Sequence, residues 1–523
     1  MYASRIAIAL LLQLSAAALP EIQIAKQPQQ PGVLRLLRRG GTVSVGTAEN
    51  FQVGLGGGYF TTVTVGTGSN PQQQQLLVDT ASSDTFVLSK DFCSHSPGIC
   101  SGNSFDPSGS STYAVADPSP AFNTSFSDGS LVYGPFARDT ITIGDLVVSN
   151  VQFGVAQNWT GGIGKSTGQL ALGFSYNEAP APGKQYPNLP EVLKDSGAIN
   201  SRLYSIYLDE TSESGSILFG GIDQSKYSGP LVTLDLTPRA GYGSFIEEFI
   251  VNITSLATTS GSSVSQTIFT NDSSASVSSQ QRGASLPGLF CVGCAALELP
   301  SAYYNSLISS TFSFLDRSDG TCSCDHRKDN ASLQLELGGT FKINVPSRDL
   351  IVPVYNSSGL PLLYANRTGV CALMVTPGSD QVYLIGESVL RSMYMVFDLD
   401  NGQISVAQAV VNSTTPANIH TIPAGPNGVA SAASRVQTAS SNTNSIAAAA
   451  STNAVFSVST ISSSSSSTPA SNTAKTTSTS GSSGSSVSAA SASSSAGAAG
   501  LRRMGTEREG LAVAAVVIAA ALV

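Results

Sequence analysis

Asp79 stands in the first stretch of this sequence whose residue types could do chemistry. Three apolar residues, 76–78, lead into it, and Thr80, Ala81 and Ser82 follow it. An apolar run bounded by small, hydroxyl-bearing residues predicts a buried strand that ends in a tight turn. A carboxylate held there, at the floor of a cleft, could transfer protons as a general acid or base. A surface turn would show the same short pattern, so the interpretation depends on its context.

A pair of cysteines forms the second such stretch. Cys291 and Cys294 have the C-x-x-C spacing, which is shared by redox motifs and by one half of a zinc site. The stretch lacks the βαβ setting and the helix N-terminus of a redox motif, and the chain has only three histidines. A structural disulfide or two inert thiols is the favoured interpretation, with no metal and no cofactor expected.

Strands must position these residues, because short β patterns fill the chain from about residue 55 to 410. Alternating apolar and polar side chains, typical of half-buried strands, are found at residues 59–65, 139–143 and 147–153. The best short helix candidates are residues 189–194 and 301–309, and residues 252–285 look like a Ser-rich insertion. The sequence predicts a mostly β domain of enzyme size.

The order of the motifs resembles that of the pepsin-like aspartic proteases. LLVDTASS at residues 76–83 resembles the first active-site motif of that family. Further matches, in the family's order, are YFTTVTVG at 59–66, SDGS at 127–130, GQLALGF at 168–174, SILFGGID at 216–223 and YLIGESVLRSMYMVFDLD at 383–400. The resemblance covers about residues 55–410 and is closest to the fungal, GPI-anchored yapsin-like members.

This resemblance implies a bilobal fold, in which two similar β-barrel-like lobes flank a cleft. The folded domain would span residues 40–410, with the N-lobe at about 55–215 and the C-lobe at about 216–410. In this family each lobe supplies one aspartate, and the two share a proton because like charges about 3 Å apart cannot both ionise. One carboxylate activates a water, while the protonated one hydrogen-bonds the scissile carbonyl.

The resemblance places Cys291 where the second catalytic aspartate is expected, so Asp79 is the retained member of the pair. Gly293 and the Leu-Pro pair at residues 299–300 set this register. Val292 replaces the hydroxyl residue that would cross-link the two active-site loops together with Thr80. Three other aspartates lack the apolar lead or lie beyond the Leu-Pro pair, namely Asp272, Asp316 and Asp319.

Further departures from the family pattern concern the same cleft. Ala81 replaces the glycine of the first motif, and Phe86 replaces the tryptophan that partners the flap tyrosine. Phe126 stands where that tyrosine is expected, shortly before Asp128 and Gly129 of the flap hairpin. With a cysteine at the second aspartate, they imply an aspartic-peptidase-family protein with little or no proteolytic activity. The alternative is an active aspartic-type endopeptidase that cleaves extracellular or cell-wall proteins at acidic pH.

The resemblance also implies disulfide bridges, which suit an oxidising compartment. Cys93 with Cys100 matches the small loop after the first active-site motif. Cys371 with either Cys322 or Cys324 matches the bridge of the C-lobe. Of the seven cysteines one must stay unpaired, because the number is odd.

Both ends of the chain carry the patterns of targeting segments. Residues 1–18 read as a signal peptide, and residues 19–39, which end in two arginines, read as a propeptide or a leader that stays attached. The Ser/Thr/Ala-rich residues 411–500 predict an O-glycosylated stalk or a plain linker. Residues 501–523 predict a GPI-anchor signal, because the apolar tail is shorter than the about 20 residues of a membrane-spanning helix.

Taken together, these segments predict a secreted protein, GPI-anchored to the plasma membrane or the cell wall. Its cleft would take an extended peptide or a cell-wall protein. Eight N-x-S/T sequons agree with secretion: Asn123, Asn158, Asn252, Asn271, Asn330, Asn356, Asn366 and Asn412. Charged residues make up only 11% of the chain and the net charge is -8, which argues against a nucleic-acid partner.

Overall fold

The computed structural model describes residues 58–429, apart from short gaps, together with the backbone of four isolated strands outside that range. The gaps are residues 69–70, 97–99, 101–102, 117–120, 127–128, 144–145, 162–166, 181–183, 210–213, 242, 356–359 and 379–381. The predicted signal peptide and anchor signal lie outside the described residues, as do most of the predicted propeptide and stalk.

Strands dominate the described chain. Strands β1 to β15 are Glu21–Lys26, Tyr59–Val65, Gln72–Asp79, Phe86–Leu88, Ala114–Val115, Phe122–Ser125, Leu131–Gly134, Phe136–Ile143, Leu146–Ala156, Asn158–Thr160, Gly168–Ala171, Leu203–Asp209, Ser214–Phe219, Gly221–Asp223 and Tyr227–Asp235. Strands β16 to β33 are Phe245–Ile246, Ile250–Ser260, Ser263–Thr270, Leu286–Phe290, Leu297–Pro300, Thr321–Ser323, Ala331–Leu337, Phe341–Pro346, Ile351–Pro353, Val370–Leu373, Val375–Gly378, Tyr383–Ile385, Met393–Asp398, Gln403–Ala409, Ile419–Thr421, Val436–Thr438, Ser445–Ile446 and Val458–Thr460.

The helices are few and short. Helices α1 to α5 are Lys90–His95, Leu189–Asp195, Ser301–Ser310, Ser347–Leu350 and Glu387–Leu390. Single 3₁₀ turns are formed by Pro107–Gly109, Ser175–Asn177, Gln224–Lys226, Ser279–Gln281 and Cys324–Lys328. The predicted helices at residues 189–194 and 301–309 are confirmed as α2 and α3, and the three predicted strands are confirmed as β2 and as parts of β8 and β9. None of the described helices is both long and apolar enough to cross a membrane.

Two large sheets carry the fold. The first has the strand order β31-β15-β29-β28-β12-β13-β1-β2-β3-β11-β4-β9-β8-β5, with β33 paired to β9. The second, in the C-terminal lobe, has the order β23-β22-β17-β19-β27-β20-β26, with β18 paired to β17. Because β28 and β29, near the end of the domain, join the first sheet beside β12, that sheet ties the two lobes together. The prediction of a mostly β fold is confirmed.

Residues 252–285 differ from the predicted Ser-rich insertion. Most of this stretch is the hairpin of β17 and β18, and β17 pairs with both β19 and β22 in the interior of the second sheet. Ile253 and Leu256 on β17 are fully buried. The many serine and threonine residues made this stretch look like a loop in the sequence. Only the inward-facing residues of a strand must be apolar, however, and threonine itself favours strands.

The folded domain also extends beyond the predicted boundary at residue 410. Strand β30 pairs with β14, and after it Ile422 and Val429 are buried in a small cluster with residues of β15 and β28. This segment is too short to form a core of its own. Its two apolar side chains attach it to the domain because they pack against an apolar surface that is already folded. The first residues of the predicted stalk therefore belong to the domain.

An aromatic cluster fills the core where the lobes meet. Tyr204 stacks on Phe397 with ring centroids 5.0 Å apart, and Phe249 packs edge-on against Phe397 at 4.8 Å. Phe290, at the end of β19, reaches the same group, while Phe174 contacts Phe249 from the N-lobe side. Each ring buries a large apolar surface, so the ends of the strands that lead into the cleft rest on a rigid base.

Candidate active site

Asp79 is the last residue of β3 and lies on the floor of the cleft. Strand β3 runs parallel to β11, with Asp79 in register with Ala171, and the amide of Leu172 donates to the Asp79 backbone carbonyl at 2.8 Å. The side chain is only 6% exposed. The predicted buried strand and acidic turn are both present, and the neighbouring strand holds the turn in place.

Three donors surround the Asp79 carboxylate. The amide of Ala81 donates to Oδ1 at 3.0 Å, the hydroxyl of Ser82 donates to Oδ2, and the amide of Gly293 donates from the opposite loop. Burial raises the pKa of Asp79, and these hydrogen bonds only partly oppose it. The carboxyl group therefore keeps its proton to a higher pH than an exposed aspartate would.

The second loop follows β19 in the C-terminal lobe. Strand β19 runs parallel to β27, with Phe290 in register with Ile385. The amide of Cys291 donates to the Ile385 carbonyl at 3.1 Å, and the amide of Glu387 donates to the Cys294 carbonyl at 2.7 Å. Like Asp79, Cys291 comes directly at the end of a buried strand that has a parallel neighbour.

Two glycines show that the loops are equivalent. The amide of Gly173 donates to the Ser82 carbonyl at 2.9 Å, and a Cβ on Gly173 would lie 2.7 Å from that oxygen. A Cβ on Gly386 would likewise lie 2.7 Å from the Cys294 carbonyl oxygen. Ser82 is three residues after Asp79, and Cys294 is three residues after Cys291. In this matching geometry, Cys291 has the place in the second loop that Asp79 has in the first.

Cys291 faces Asp79 across the cleft. Its Sγ lies 3.6 Å from Asp79 Oδ1, and the residue is 1% exposed. The same sulfur is bonded to Cys294, with the two Cα atoms 5.3 Å apart. A disulfide sulfur has no proton to donate, so the approach to Oδ1 is a contact and not a hydrogen bond.

No second carboxyl group contacts Asp79 among the described residues. The aspartates weighed as alternatives lie elsewhere, each bonded within its own turn. Asp272 accepts from Ser274, Asp316 from Ser318, and Asp319 from Thr321. The charge of Asp79 reaches Tyr204, whose pKa is held well above its ordinary value by burial first and by that charge second.

Thr80 joins the two loops from one side only. Its hydroxyl donates to the Phe290 carbonyl at 2.7 Å and accepts from the amide of Val292 at 3.1 Å. Val292 stands at the equivalent place of the second loop. It has no hydroxyl and therefore cannot form the matching hydrogen bonds to the backbone of the first loop. Only the Thr80 half of the symmetric cross-link is therefore formed.

The third residues of the two loops differ in the space around them. A Cβ on Gly293 would lie 2.7 Å from Asp79 Cγ, so the close approach of the loops requires a glycine there. Ala81, its counterpart, has room for a methyl group and packs against an apolar cluster that includes Ile250 and Leu289 of the C-terminal lobe. The alanine therefore adds an interlobe contact.

Strands β6 and β7 form a hairpin at the place where the sequence predicts the flap, and we refer to it by that name. Phe126 follows β6 and Gly129 turns with a φ of 79°, whereas Asp128 lies outside the described residues. Phe126 stacks on Trp159 with centroids 6.1 Å apart, and Phe86 approaches both rings. Strand β10, which carries Trp159, pairs with β7 and so becomes the third strand of the flap sheet.

Trp159 was missed by the sequence reasoning. The sequence predicts that Phe86 replaces a tryptophan of the family. The only tryptophan of the chain, 73 positions later, packs its indole ring against Phe86, with ring centroids 6.1 Å apart. The available signal was that Trp159 is the only tryptophan of the chain.

The remaining disulfides lie away from the two loops. Cys93 is bonded to Cys100, and Cys371 is bonded to Cys324, which resolves the choice that the sequence left open. Cys322 is the free cysteine and is buried. No group of three or more His, Cys, Asp or Glu side chains in the described part of the chain is arranged to hold a metal ion.

The bilobal β fold, the paired loops and the flap are those of an aspartic proteinase. A crystal structure of the aspartic proteinase from Irpex lacteus superposes with a TM-score of 0.51 and 19% identity, covering 76% of this chain and 99% of that one. The family model described as eukaryotic aspartyl protease matches residues 58–409. The chain therefore belongs to the eukaryotic aspartyl protease family.

Fungal proteins are among its relatives. "Probable aspartic-type endopeptidase opsB" of Aspergillus fumigatus is 32% identical over 383 residues, which cover 72% of this chain and 73% of the relative. "Acid protease" of Saccharomycopsis fibuligera is 32% identical and covers 72% and 87%, respectively. "Aspartic proteinase yapsin-3" of Saccharomyces cerevisiae is 30% identical and covers 69% and 70%.

Proposed function

We propose that this chain is a cell-surface, peptide-binding member of the aspartyl protease family with little or no endopeptidase activity. The observation that carries the proposal is the contact between Cys291 Sγ and Asp79 Oδ1, at 3.6 Å, where hydrolysis needs a second carboxyl group. The occupant of the cleft would be an extended peptide or a cell-wall protein.

The chemistry of the site supports this proposal. Hydrolysis by a carboxylate pair needs one ionised group to activate water and one protonated group to hydrogen-bond the scissile carbonyl. Asp79 can take either role but not both at once. The Cys291–Cys294 disulfide neither ionises nor donates a proton. Loss of one member of such a catalytic unit costs orders of magnitude in rate.

The peptide-binding part of the proposal rests on what the cleft retains. The Thr80 cross-link still holds the loops together, and the flap sheet still presents the partly exposed rings of Phe126 and Trp159, which pack on the buried ring of Phe86. Such rings contribute contact area to a bound peptide without needing a catalytic pair.

The second candidate is an active aspartic-type endopeptidase that works at acidic pH. It is favoured by the names of two relatives at 32% identity, "Acid protease" and "Probable aspartic-type endopeptidase opsB". The two candidates differ in one measurable quantity, the rate of Asp79-dependent peptide cleavage.

The deciding experiment compares the secreted chain, freed of any propeptide, with its Asp79→Asn variant. Cleavage of a fluorogenic peptide library is followed between pH 3 and 6, while binding of a statine-containing peptide is followed through the fluorescence of Trp159. We expect equal background cleavage for both proteins and a saturable fluorescence change for the unmodified chain. Asp79-dependent cleavage by the unmodified chain would establish the endopeptidase instead.

Surface anchoring is the second part of the proposal. Among the described sequons, Asn123, Asn158, Asn271, Asn330, Asn366 and Asn412 are exposed, and Asn252 is half-buried. Exposed sequons suit a chain that passes through the secretory pathway. Release of the protein from intact cells by a phosphatidylinositol-specific phospholipase is expected, and a chain truncated before residue 501 should be found in the medium.

A further inference from the structure

The Cys291–Cys294 bridge differs from the other two disulfides in its surroundings. Its Cys291 sulfur lies 3.6 Å from a buried carboxyl oxygen, whereas no carboxyl oxygen is in such contact with the Cys93–Cys100 or Cys324–Cys371 bridge among the described residues. Its two ends are also unequal, because Cys291 is 1% exposed and Cys294 is partly exposed. One cysteine of the bridge is thus partly exposed, and the sulfur of the other lies against an acid.

We propose that this bridge is a thiol–disulfide exchange site, in which Asp79 passes a proton to and from Cys291. The substrate class is a thiol, supplied by a cysteine of a polypeptide in the cleft or by a small molecule such as glutathione. This activity is independent of peptide hydrolysis, so it stands or falls separately from the function proposed above.

The exchange begins at the accessible sulfur. A substrate thiolate attacks Cys294 Sγ, a bond forms between these two sulfurs, and the bond between Cys294 and Cys291 breaks. The electron pair leaves on Cys291 Sγ, which takes the proton of the Asp79 carboxyl group. A second substrate thiolate then attacks the substrate sulfur and releases Cys294 as a thiolate. The protein disulfide gains two electrons, and two substrate thiols become a disulfide.

The proton transfer avoids the free-energy cost of leaving a charged thiolate at a buried position. A thiolate left at a fully buried position lacks the solvation that water gives to an anion, so an uncharged leaving thiol is strongly favoured there. Burial raises the pKa of Asp79, which keeps its proton available over a wider pH range. In the reverse reaction, the Asp79 carboxylate removes the proton from Cys291 and restores the attacking thiolate.

Other groups around Asp79 do not compete for this role. The hydroxyl of Ser82 and the amides of Ala81 and Gly293 donate hydrogen bonds to the carboxylate. Tyr204 keeps its own proton, because burial and the Asp79 charge hold its pKa well above the ordinary value, and its hydroxyl donates to the Leu172 carbonyl. Beside Cys294, Glu387 contributes its backbone amide to the Cys294 carbonyl and points its carboxylate towards Arg391 at 3.7 Å.

The test measures the rate at which each disulfide of the folded, full chain is reduced. Glutathione is used in one arm and a cysteine-containing peptide in the other, with acid quenching, alkylation and mass spectrometry to identify each reduced bridge. Rates are divided by the concentration of substrate thiolate at each pH. For Cys93–Cys100 this normalised rate should be flat, and for Cys291–Cys294 it should fall as rising pH removes the proton of Asp79.

The Asp79→Asn variant provides the second comparison. We expect Cys291–Cys294 to be reduced about a hundredfold more slowly or worse at acidic pH, in the range by which a positioned acid accelerates proton transfer, with Cys93–Cys100 unchanged. A faster rate with the peptide than with glutathione identifies a polypeptide substrate, and the opposite order identifies a small thiol. A flat normalised rate for Cys291–Cys294 in the unmodified chain overturns the proposal. Reduction of that bridge only upon unfolding overturns it as well.

Discussion

Thr80 donates its hydroxyl proton to the carbonyl of Phe290 at 2.7 Å, across 210 positions of the chain. This bond and the one from the Val292 amide are the direct polar link between the two loops of the cleft on the Thr80 side. Val292 has no hydroxyl to form the equivalent bonds from the second loop. The cross-link on this side therefore depends on the Thr80 hydroxyl alone. The stability of the cleft should therefore be sensitive to one atom.

Replacing Thr80 with valine removes that atom at nearly constant volume. The buried carbonyl of Phe290 and the amide of Val292 would both lose a partner, which should lower the free energy of unfolding by about 1–3 kcal/mol. The measurement is urea unfolding followed by circular dichroism. Thr62→Val on the exposed face of β2 is the matched control, expected within about 0.5 kcal/mol of the unmodified chain. Equal effects of the two substitutions would contradict the importance of the cross-link.

Gly293→Ala tests the close approach of the loops. The added methyl would lie 2.7 Å from Asp79 Cγ, so the loops must separate, and we expect a loss of about 1–3 kcal/mol as for other overpacked sites. Ala81→Gly is the control at the equivalent position of the first loop. It removes only a methyl packed on the apolar cluster around Ile250, and should cost about 1 kcal/mol. A Gly293→Ala chain with an unchanged melting temperature would show that the loops do not touch.

Two buried aspartates predict that stability falls as pH rises above about 4. Burial raises the pKa of Asp84 to about 6 against the hydrogen bonds from Tyr186 and Ala179, and burial likewise raises the pKa of Asp398 to about 6. The folded chain then binds protons that the unfolded chain releases between pH 3.8 and 6, so the stabilisation is complete below that window and is lost through it. Each group accounts for at most about 3 kcal/mol.

The measurement is the free energy of unfolding between pH 3.5 and 7.5. Asp84→Asn and Asp398→Asn should each flatten the decline. Asp106→Asn is the control, because its salt bridge with Lys90 lowers the pKa of Asp106 to about 2 and its titration falls below the window. A stability that rises from pH 4 to 7 would show that these carboxyl groups do not retain their protons in the folded state.

Cys322 should be an inert thiol in the folded chain. It is 3% exposed, and burial, followed by the charge of Asp329, raises its pKa to about 12, so its thiolate is scarce at neutral pH. We expect no reaction with iodoacetamide at pH 8 in the folded state and a single alkylated cysteine after unfolding without reductant. Cys322→Ser should abolish that single label. Labelling of Cys291 or Cys294 in the same experiment would show that the cleft bridge is open.

Local patterns were enough to place much of the fold. The alternation of residues 59–65 corresponds to β2 in full, because the period of a strand is a property of neighbouring residues and of the faces they present. The family and the mostly β architecture were likewise predicted from short motifs in a fixed order. Residues 252–285 were misread because only every second residue of a strand must be apolar, and serine and threonine occupied the rest.

Other features were decided by tertiary structure alone. Cys322 lies directly opposite Cys371 in the ladder of β21 and β25, yet Cys371 is bonded to Cys324. Cys322 lies on β21 and Cys324 begins the following 3₁₀ turn, so the spacing of two residues cannot choose between the two sulfurs, and only the positions of the atoms can. The place of Trp159 in the flap depends in the same way on the pairing of β10 with β7.

Sequence alone predicted that a cysteine, and not an aspartate, begins the second loop, because Gly293 and the Leu-Pro pair set the register locally. The state of that cysteine and its distance from Asp79 depend on the tertiary structure. Cys291 is bonded to Cys294 and its sulfur lies 3.6 Å from Asp79, a residue 212 positions earlier in the chain. The sequence gives the type of each residue. Cys291 and Asp79 come into contact only when the two lobes pack on their shared core.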